Sequence, residues 1–161
     1  MSTIPFLLFA FVASITPGPT NILILTNSQH FGIKKTVPAI LGGCMAASMI
    51  VLVSGAGAGE VLRRYPLIRQ MMSWAGVLWL SWMSWQLFNA PAANLSAKTH
   101  TRFTAQAAAL LQIVNPKTWM MALAVVSLFA PASEHALRDI ALMALWFLAI
   151  SVVCLMCWAW L

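Results

Sequence analysis

Thr16-Pro-Gly-Pro-Thr-Asn21 is the stretch that decides how this chain is read, because it lies in the middle of an apolar run. Residues 1–33 contain no Lys, Arg, Asp or Glu. A proline removes a backbone donor and clashes with the carbonyl four residues back, so it breaks a helix interior. Two prolines flanking a glycine also push Thr16 and Gly18 out of the α region. An ordinary kink needs one proline; this segment is expected to unwind locally. In lipid, unwound backbone is tolerated only where it lines a cavity or is buried in protein.

The composition supplies the lipid. Over 161 residues the chain is 61% hydrophobic and 7% charged, with a mean hydropathy of +0.87. An average globular protein is about 25% charged. Nine basic and three acidic residues cannot solvate a globule of 17.5 kDa. A soluble monomer is excluded, and so is intrinsic disorder, which needs low hydrophobicity and high net charge. The net charge of +6 comes from basic residues placed singly or in twos between apolar stretches. Topogenic charges are spaced that way and phosphate-tracking grooves are not, so no nucleic-acid partner is expected. Cys44, Cys154 and Cys157 are odd in number and have apolar neighbours, which argues against a disulfide framework. Cys154-Leu-Met-Cys157 has redox spacing but lacks a polar flank to stabilise a thiolate. His30, His100 and His135 are too far apart for a zinc set. No metal, cofactor or catalytic constellation is expected, and the chain does not read as an enzyme.

A spanning helix needs about 20 mostly apolar residues. Five spans follow from the gaps between charges: Ile4–Gln29, Val37–Ala58, Met71–Asn89, Phe103–Ala130 and Ile140–Trp160. The first has no basic n-region and is too long for the apolar part of a signal peptide. Glu60, Glu134 and Asp139 all fall in the expected connections. Trp74, Trp79, Trp82 and Trp85 enrich the third span. Lys34, Lys35, Lys98 and Arg102 lie on one side of the membrane; Arg63, Arg64, Arg69 and Arg138 lie on the other. The first helix usually dominates orientation, and the lysine pair follows it. The N-terminus is therefore expected outside and those lysines in the cytoplasm.

A second break lies in the fourth span, at Asn115-Pro-Lys117. Pro17 and Pro116 stand 99 residues apart, and the two breaks fall at the same depth in their spans. The same offset carries Lys34 into the loop after the fourth span, and Glu60 to the end of the fifth. Three spans separate the breaks, so the second half is expected to be inverted relative to the first. The chain reads as one all-α transmembrane domain: a first repeat of three helices in residues 1–90, then a second of two helices in 103–161. Paired broken helices in an inverted repeat point to a transporter's binding site near the midplane. Lys117 strengthens that reading, because a cation near the bilayer centre costs about 3 kcal/mol on insertion scales. Small residues let helices approach closely, so Gly42, Gly43, Gly55, Gly59 and Gly76 are expected at packing seams, with Gly55 and Gly59 at GxxxG spacing.

These residues resemble the LysE/RhtB family of bacterial amino-acid exporters. The resemblance rests on Thr16-Pro-Gly-Pro-Thr-Asn21 and Asn115-Pro-Lys117, with support from Phe31-Gly32 and Ser73-Trp-Ala-Gly76. Within it, Ser73-Trp-Ala-Gly76 and Leu111-Gln-Ile-Val-Asn115 look most like the branch that exports cysteine and O-acetylserine. The resemblance implies a multi-pass protein of the bacterial inner membrane, a small zwitterionic amino acid as substrate, and a proton as coupling ion. It also implies about six spans, so the partner of the third helix is expected to be missing. A truncated relative that does not transport, and acts only as a membrane structural or partner-binding protein or is inert, is the alternative. The sequence leaves self-association into a homo-oligomer open.

The expected translocation residues are Thr16, Pro17, Gly18, Pro19, Asn21, Asn115, Pro116 and Lys117. Helix carbonyls before Pro17 lose their donors and are expected to receive the substrate ammonium. The half-helix beginning near Thr20 and Asn21 turns its positive end toward the carboxylate, where Lys117 can pair with it. No carboxylate lies inside a span, so the sequence supplies no proton relay.

Overall fold

The computed structural model describes residues 3–58, 102–129 and 136–161, with scattered positions between 64 and 85. Most of the expected third span lies outside these residues, as do Gly59, Gly76, Lys98, Glu60 and Glu134. Trp74 and Trp85 are described, and both are helical and exposed.

The elements are α1 (Thr3–Ile15), α2 (Pro19–Phe31) and α3 (Ile33–Val53), followed by a π turn at Ser54–Ala58. After them come α4 (Ala105–Val114), α5 (Pro116–Phe129) and α6 (Ala136–Trp160). No strand occurs among the described residues, and the protein is an all-α polytopic membrane bundle. Among the described residues, two helices are long and apolar enough to cross a membrane unaided, Ile33–Gly57 and Ala136–Trp160. The pairs α1–α2 and α4–α5 meet the same test of length and apolarity only when joined, and are bent by 57° and 68° at the breaks. The bends fall where the prolines are.

Three expectations are corrected. Lys34 and Lys35 are not in a loop: only Gly32, at φ 84°, separates α2 from α3, and both lysines lie in the first turn of α3. Asp139 is also helical, in the first turn of α6, where a carboxylate complements the positive end of the helix. Gly55 and Gly57 do not continue the α-helix that the second expected span, Val37–Ala58, requires of them. The α-helix stops at Val53, and Gly57 adopts φ 125°, a conformation that side-chain-bearing residues rarely take. Gly55 still packs closely, since a Cβ there would lie 2.6 Å from the Ile140 side chain.

Two apolar clusters hold the bundle. One joins Phe6 and Ala10 of α1, Ile50 and Val51 of α3, Ala122 and Val125 of α5, and Met143 and Phe147 of α6. The other joins Ile24 of α2, Ile40 and Cys44 of α3, Ala108 of α4, and Leu155 and Ala159 of α6. The C-terminal half of α3 meets the N-terminal half of α6 and the reverse, so these two long helices run antiparallel. In lipid there is no apolar driving force between helices, and association rests on close contact and hydrogen bonds. Gly42 shows the closeness, because a Cβ on it would overlap the Ala105 carbonyl of α4. At Gly43 the same atom would sit in ordinary contact, 3.6 Å from the Ala108 Cβ.

The ends of the bundle differ in chemistry. At the α3 N-terminal end, Arg102 donates to the Lys35 carbonyl at 3.1 and 2.6 Å. There the Phe103 amide donates to Asn27 Oδ1 (2.8 Å), Asn27 Nδ2 to Thr36 Oγ1 (2.8 Å) and Ser28 Oγ to the Ala159 carbonyl (2.5 Å). The opposite end is aromatic: Phe129 packs edge-on to Phe6 at 5.7 Å and against Phe9 at 5.8 Å.

Candidate functional site

The first break begins where α1 runs out of donors. Thr16 still closes the last turn, giving its amide (3.1 Å) and its hydroxyl (2.5 Å) to the Val12 carbonyl. Beyond it, Pro17 and Pro19 have no N–H for the Ala13 and Ile15 carbonyls, and the bend carries the next amides away from Ser14 and Thr16. Side chains take over three of these carbonyls. Asn21 Nδ2 donates to Ser14 (3.0 Å), Trp158 Nε1 to Ile15 (3.0 Å) and Lys117 Nζ to Thr16 (2.6 Å). This is a correction: most of the carbonyls expected to receive a substrate ammonium are already paired within the protein.

The second break is capped more locally. Asn115 is the residue before α5, and Pro116 takes the first helical position, where its missing N–H is no loss. Asn115 Oδ1 accepts from the Lys117 amide at 3.1 Å, as an N-cap side chain does. The Asn115 amide in turn reaches the Gln112 carbonyl at 3.3 Å. Trp119 Nε1 donates to the Ile113 carbonyl at 2.7 Å. In each break an indole N–H replaces a lost backbone donor.

The breaks meet directly. Besides the Lys117–Thr16 bond, Gln112 Nε2 donates to Thr20 Oγ1 at 2.8 Å, and Thr118 Oγ1 donates to Gln112 Oε1 at 2.7 Å. Thr20, Asn21, Gln112, Asn115 and Thr118 are all buried. A cavity of about 50 Å³ opens beside them, walled also by Gly43, Cys44 and Ala47 of α3 and by Phe147, Ser151 and Leu155 of α6. At about 10–15 Å³ per water it holds a few water molecules. Among the described residues, Lys117 is the only charged one lining it. The lining draws residues from both apolar clusters, Ala47 and Phe147 from one and Cys44 and Leu155 from the other.

Of the expected residues, Gly18, Pro19, Asn21, Asn115 and Lys117 line this cavity. Thr16, Pro17 and Pro116 do not; they shape the breaks, and Thr16 adds only its carbonyl. Sequence reading missed Ser14, Cys44, Gln112, Ser151 and Trp158. Gln112 carried a usable signal, since a polar side chain inside a span is expected to face the bundle interior. Cys44 carried none, because its neighbours are apolar in sequence. All three cysteines are free thiols.

Residues 11–161 match the family model described as LysE type translocator. The chain belongs to the LysE type translocator family. Similarity to individual members of known function runs nearly end to end. The Cysteine/O-acetylserine efflux protein of Shigella flexneri is 29% identical over 170 residues, covering 96% of this chain and 82% of that one. The Salmonella typhimurium protein of the same name is 26% identical over 168 residues, with the same coverage. That of Escherichia coli O1:K1 / APEC is 26% identical over 162 residues, covering 96% and 78%. No solved structure matches this LysE translocator.

Proposed function

We propose that this protein exports small neutral amino acids, of the cysteine and O-acetylserine kind, across the bacterial inner membrane. The observation that carries the reading is the meeting of two broken helices around a cavity with one charge, Lys117. A lysine ammonium has three donors, and one is spent on the Thr16 carbonyl. The other two suit a substrate carboxylate. The cavity is too small for a bulky solute, and among the described residues it offers no acid to a cationic side chain. The names of the relatives agree with such a substrate.

The inverted repeat belongs to the same proposal. The order of short helix, break, short helix, long helix occurs in residues 3–53 and again in residues 105–160. The equivalent long helices, α3 and α6, run antiparallel, as an axis in the membrane plane requires. Export then proceeds by rocking one half against the other about the shared breaks. Efflux of labelled cysteine and O-acetylserine from preloaded cells tests the reading. The wild-type chain raises efflux above vector cells, and Lys117→Met, which keeps length without charge, returns it to background at equal membrane expression. Unchanged efflux in that variant would make Lys117 a structural tie only, and no efflux from wild type would end the export reading.

A further inference from the structure

The cavity wall on α1 holds two polar groups that neither the breaks nor Lys117 use. Ser14 lines the cavity at 9% exposure, and its hydroxyl has no hydrogen-bond partner. Most buried side-chain polar atoms have a partner, so one without it calls for an explanation. Beside it, the Ala13 carbonyl would take the amide of residue 17 in an unbroken helix. Residue 17 is a proline, Ala13 also lines the cavity, and no donor among the described residues replaces the lost one. The other three carbonyls freed at this break are paired with Asn21, Trp158 and Lys117. At the second break the equivalent carbonyl, that of Gln112, is paired with the Asn115 amide. Ala13 and Ser14 are thus left as adjacent acceptors on one cavity wall.

The Ala13 carbonyl can only accept and the Ser14 hydroxyl oxygen can accept beside it, so the pair suits a group that only donates, as an ammonium does. The position favours a cation for a second reason: α1 ends at Ile15, and the C-terminal end of a helix carries partial negative charge. We propose that the Ala13 carbonyl and the Ser14 hydroxyl form an ammonium subsite, so that the cavity takes an α-amino acid by both of its charges. This rests on the export reading and sharpens it. The free α-amine becomes a requirement for binding, with the carboxylate on Lys117 and the side chain toward Cys44 and Phe147.

The test uses the purified full chain under reducing conditions, with binding read as displacement of labelled cysteine and as ligand-induced thermal shift. The probes are cysteine, 3-mercaptopropionate, which lacks the amine, and cysteamine, which lacks the carboxylate. Wild type is expected to bind cysteine at least about tenfold more tightly than either analogue, the size of one hydrogen bond to a charged group. Ser14→Ala is expected to weaken cysteine about tenfold and leave 3-mercaptopropionate unchanged. The empty variant should melt at or above the wild-type temperature, because it loses an unpaired buried hydroxyl. Equal binding of cysteine and 3-mercaptopropionate by wild type overturns the subsite even where the variant cannot be purified. So does a Ser14→Ala protein that binds cysteine as wild type does, or loses both probes alike. In those cases the export reading stands. A wild-type chain that neither binds nor exports cysteine sinks both.

Discussion

Gly18 and Lys117 are the residues on which the two breaks close. Glycine is not needed at position 18 for its backbone, which is extended at φ −160° and open to any residue. It is needed for space: a Cβ there would sit 3.1 Å from Lys117 Nζ and 3.2 Å from its Cδ. By the 99-residue offset between Pro17 and Pro116, Gly18 and Lys117 are each other's equivalents, one absent side chain facing one long one. Gly18→Ala should therefore push the ammonium off the Thr16 carbonyl and reduce efflux several-fold, while stability changes by less than about 1 kcal/mol. In a Lys117→Ala background the same substitution should leave the melting temperature unchanged, since both contacts are gone. A double-mutant cycle on melting temperature measures this coupling; equal effects in both backgrounds would show that Gly18 acts elsewhere. Gln112 matters for a different reason. It satisfies the Thr20 and Thr118 hydroxyls at once, so Gln112→Leu strands both. The expected loss is about 2 kcal/mol or more, read by denaturation in detergent.

At the scale of elements, the breaks persist because side chains serve their backbone groups, partly from distant helices at the first break and from within the same helix pair at the second. The α3–α4 seam shows how little slack the packing leaves. Gly42 faces the Ala105 backbone, which cannot swing aside as a side chain can. Gly42→Ala should force the helices apart, at about 1–3 kcal/mol for overpacking. Gly43, one residue on, has ordinary contact distance to spare, and Gly43→Ala should fall within about 0.5 kcal/mol of wild type. Thermal unfolding of the two variants side by side checks the contrast. Similar losses in both would mean that close contact runs along the whole seam, since Ala is the better helix former and propensity alone predicts a gain.

For the whole molecule, the ends of α3 carry the topology. Lys34, Lys35 and Arg102 gather at one end of the bundle, and Arg138 lies at the other, in the first turn of α6 beside Ile140, which packs on Gly55. The lysine end is expected in the cytoplasm, because positive charge following the first span is retained there. With the native cysteines replaced, a cysteine at position 34 should resist impermeant maleimide in intact cells, and one at 138 should react. The reverse pattern would invert the orientation. The same ends differ in how they would open. Directional hydrogen bonds tie α2, α3, α4 and α6 at the lysine end, and these must be given up together. The aromatic contacts of Phe6, Phe9 and Phe129 at the other end can slide.

The long apolar helices α3 and α6, the two breaks and the placing of Lys117 within an apolar run were legible in the residues alone, because each follows from a local property. Pro17, Pro19 and Pro116 lack an N–H wherever they stand, and charge is excluded from lipid whatever the neighbours. What fills the broken bonds was not legible. Trp158 reaches Ile15 across 143 residues, Lys117 reaches Thr16 across 101, and Gln112 reaches Thr20 across 92. Such pairings depend on how α4, α5 and α6 cross α1, α2 and α3, which no run of neighbouring residues encodes. The same holds for Ser14, an ordinary helical serine in sequence. Only the packed bundle leaves its hydroxyl buried beside a proline-freed carbonyl, with a cavity in front of both. The sequence by itself determined where the helices must break; the tertiary structure decided which polar groups remain unpaired there, because satisfying a hydrogen bond is a matter of three-dimensional reach.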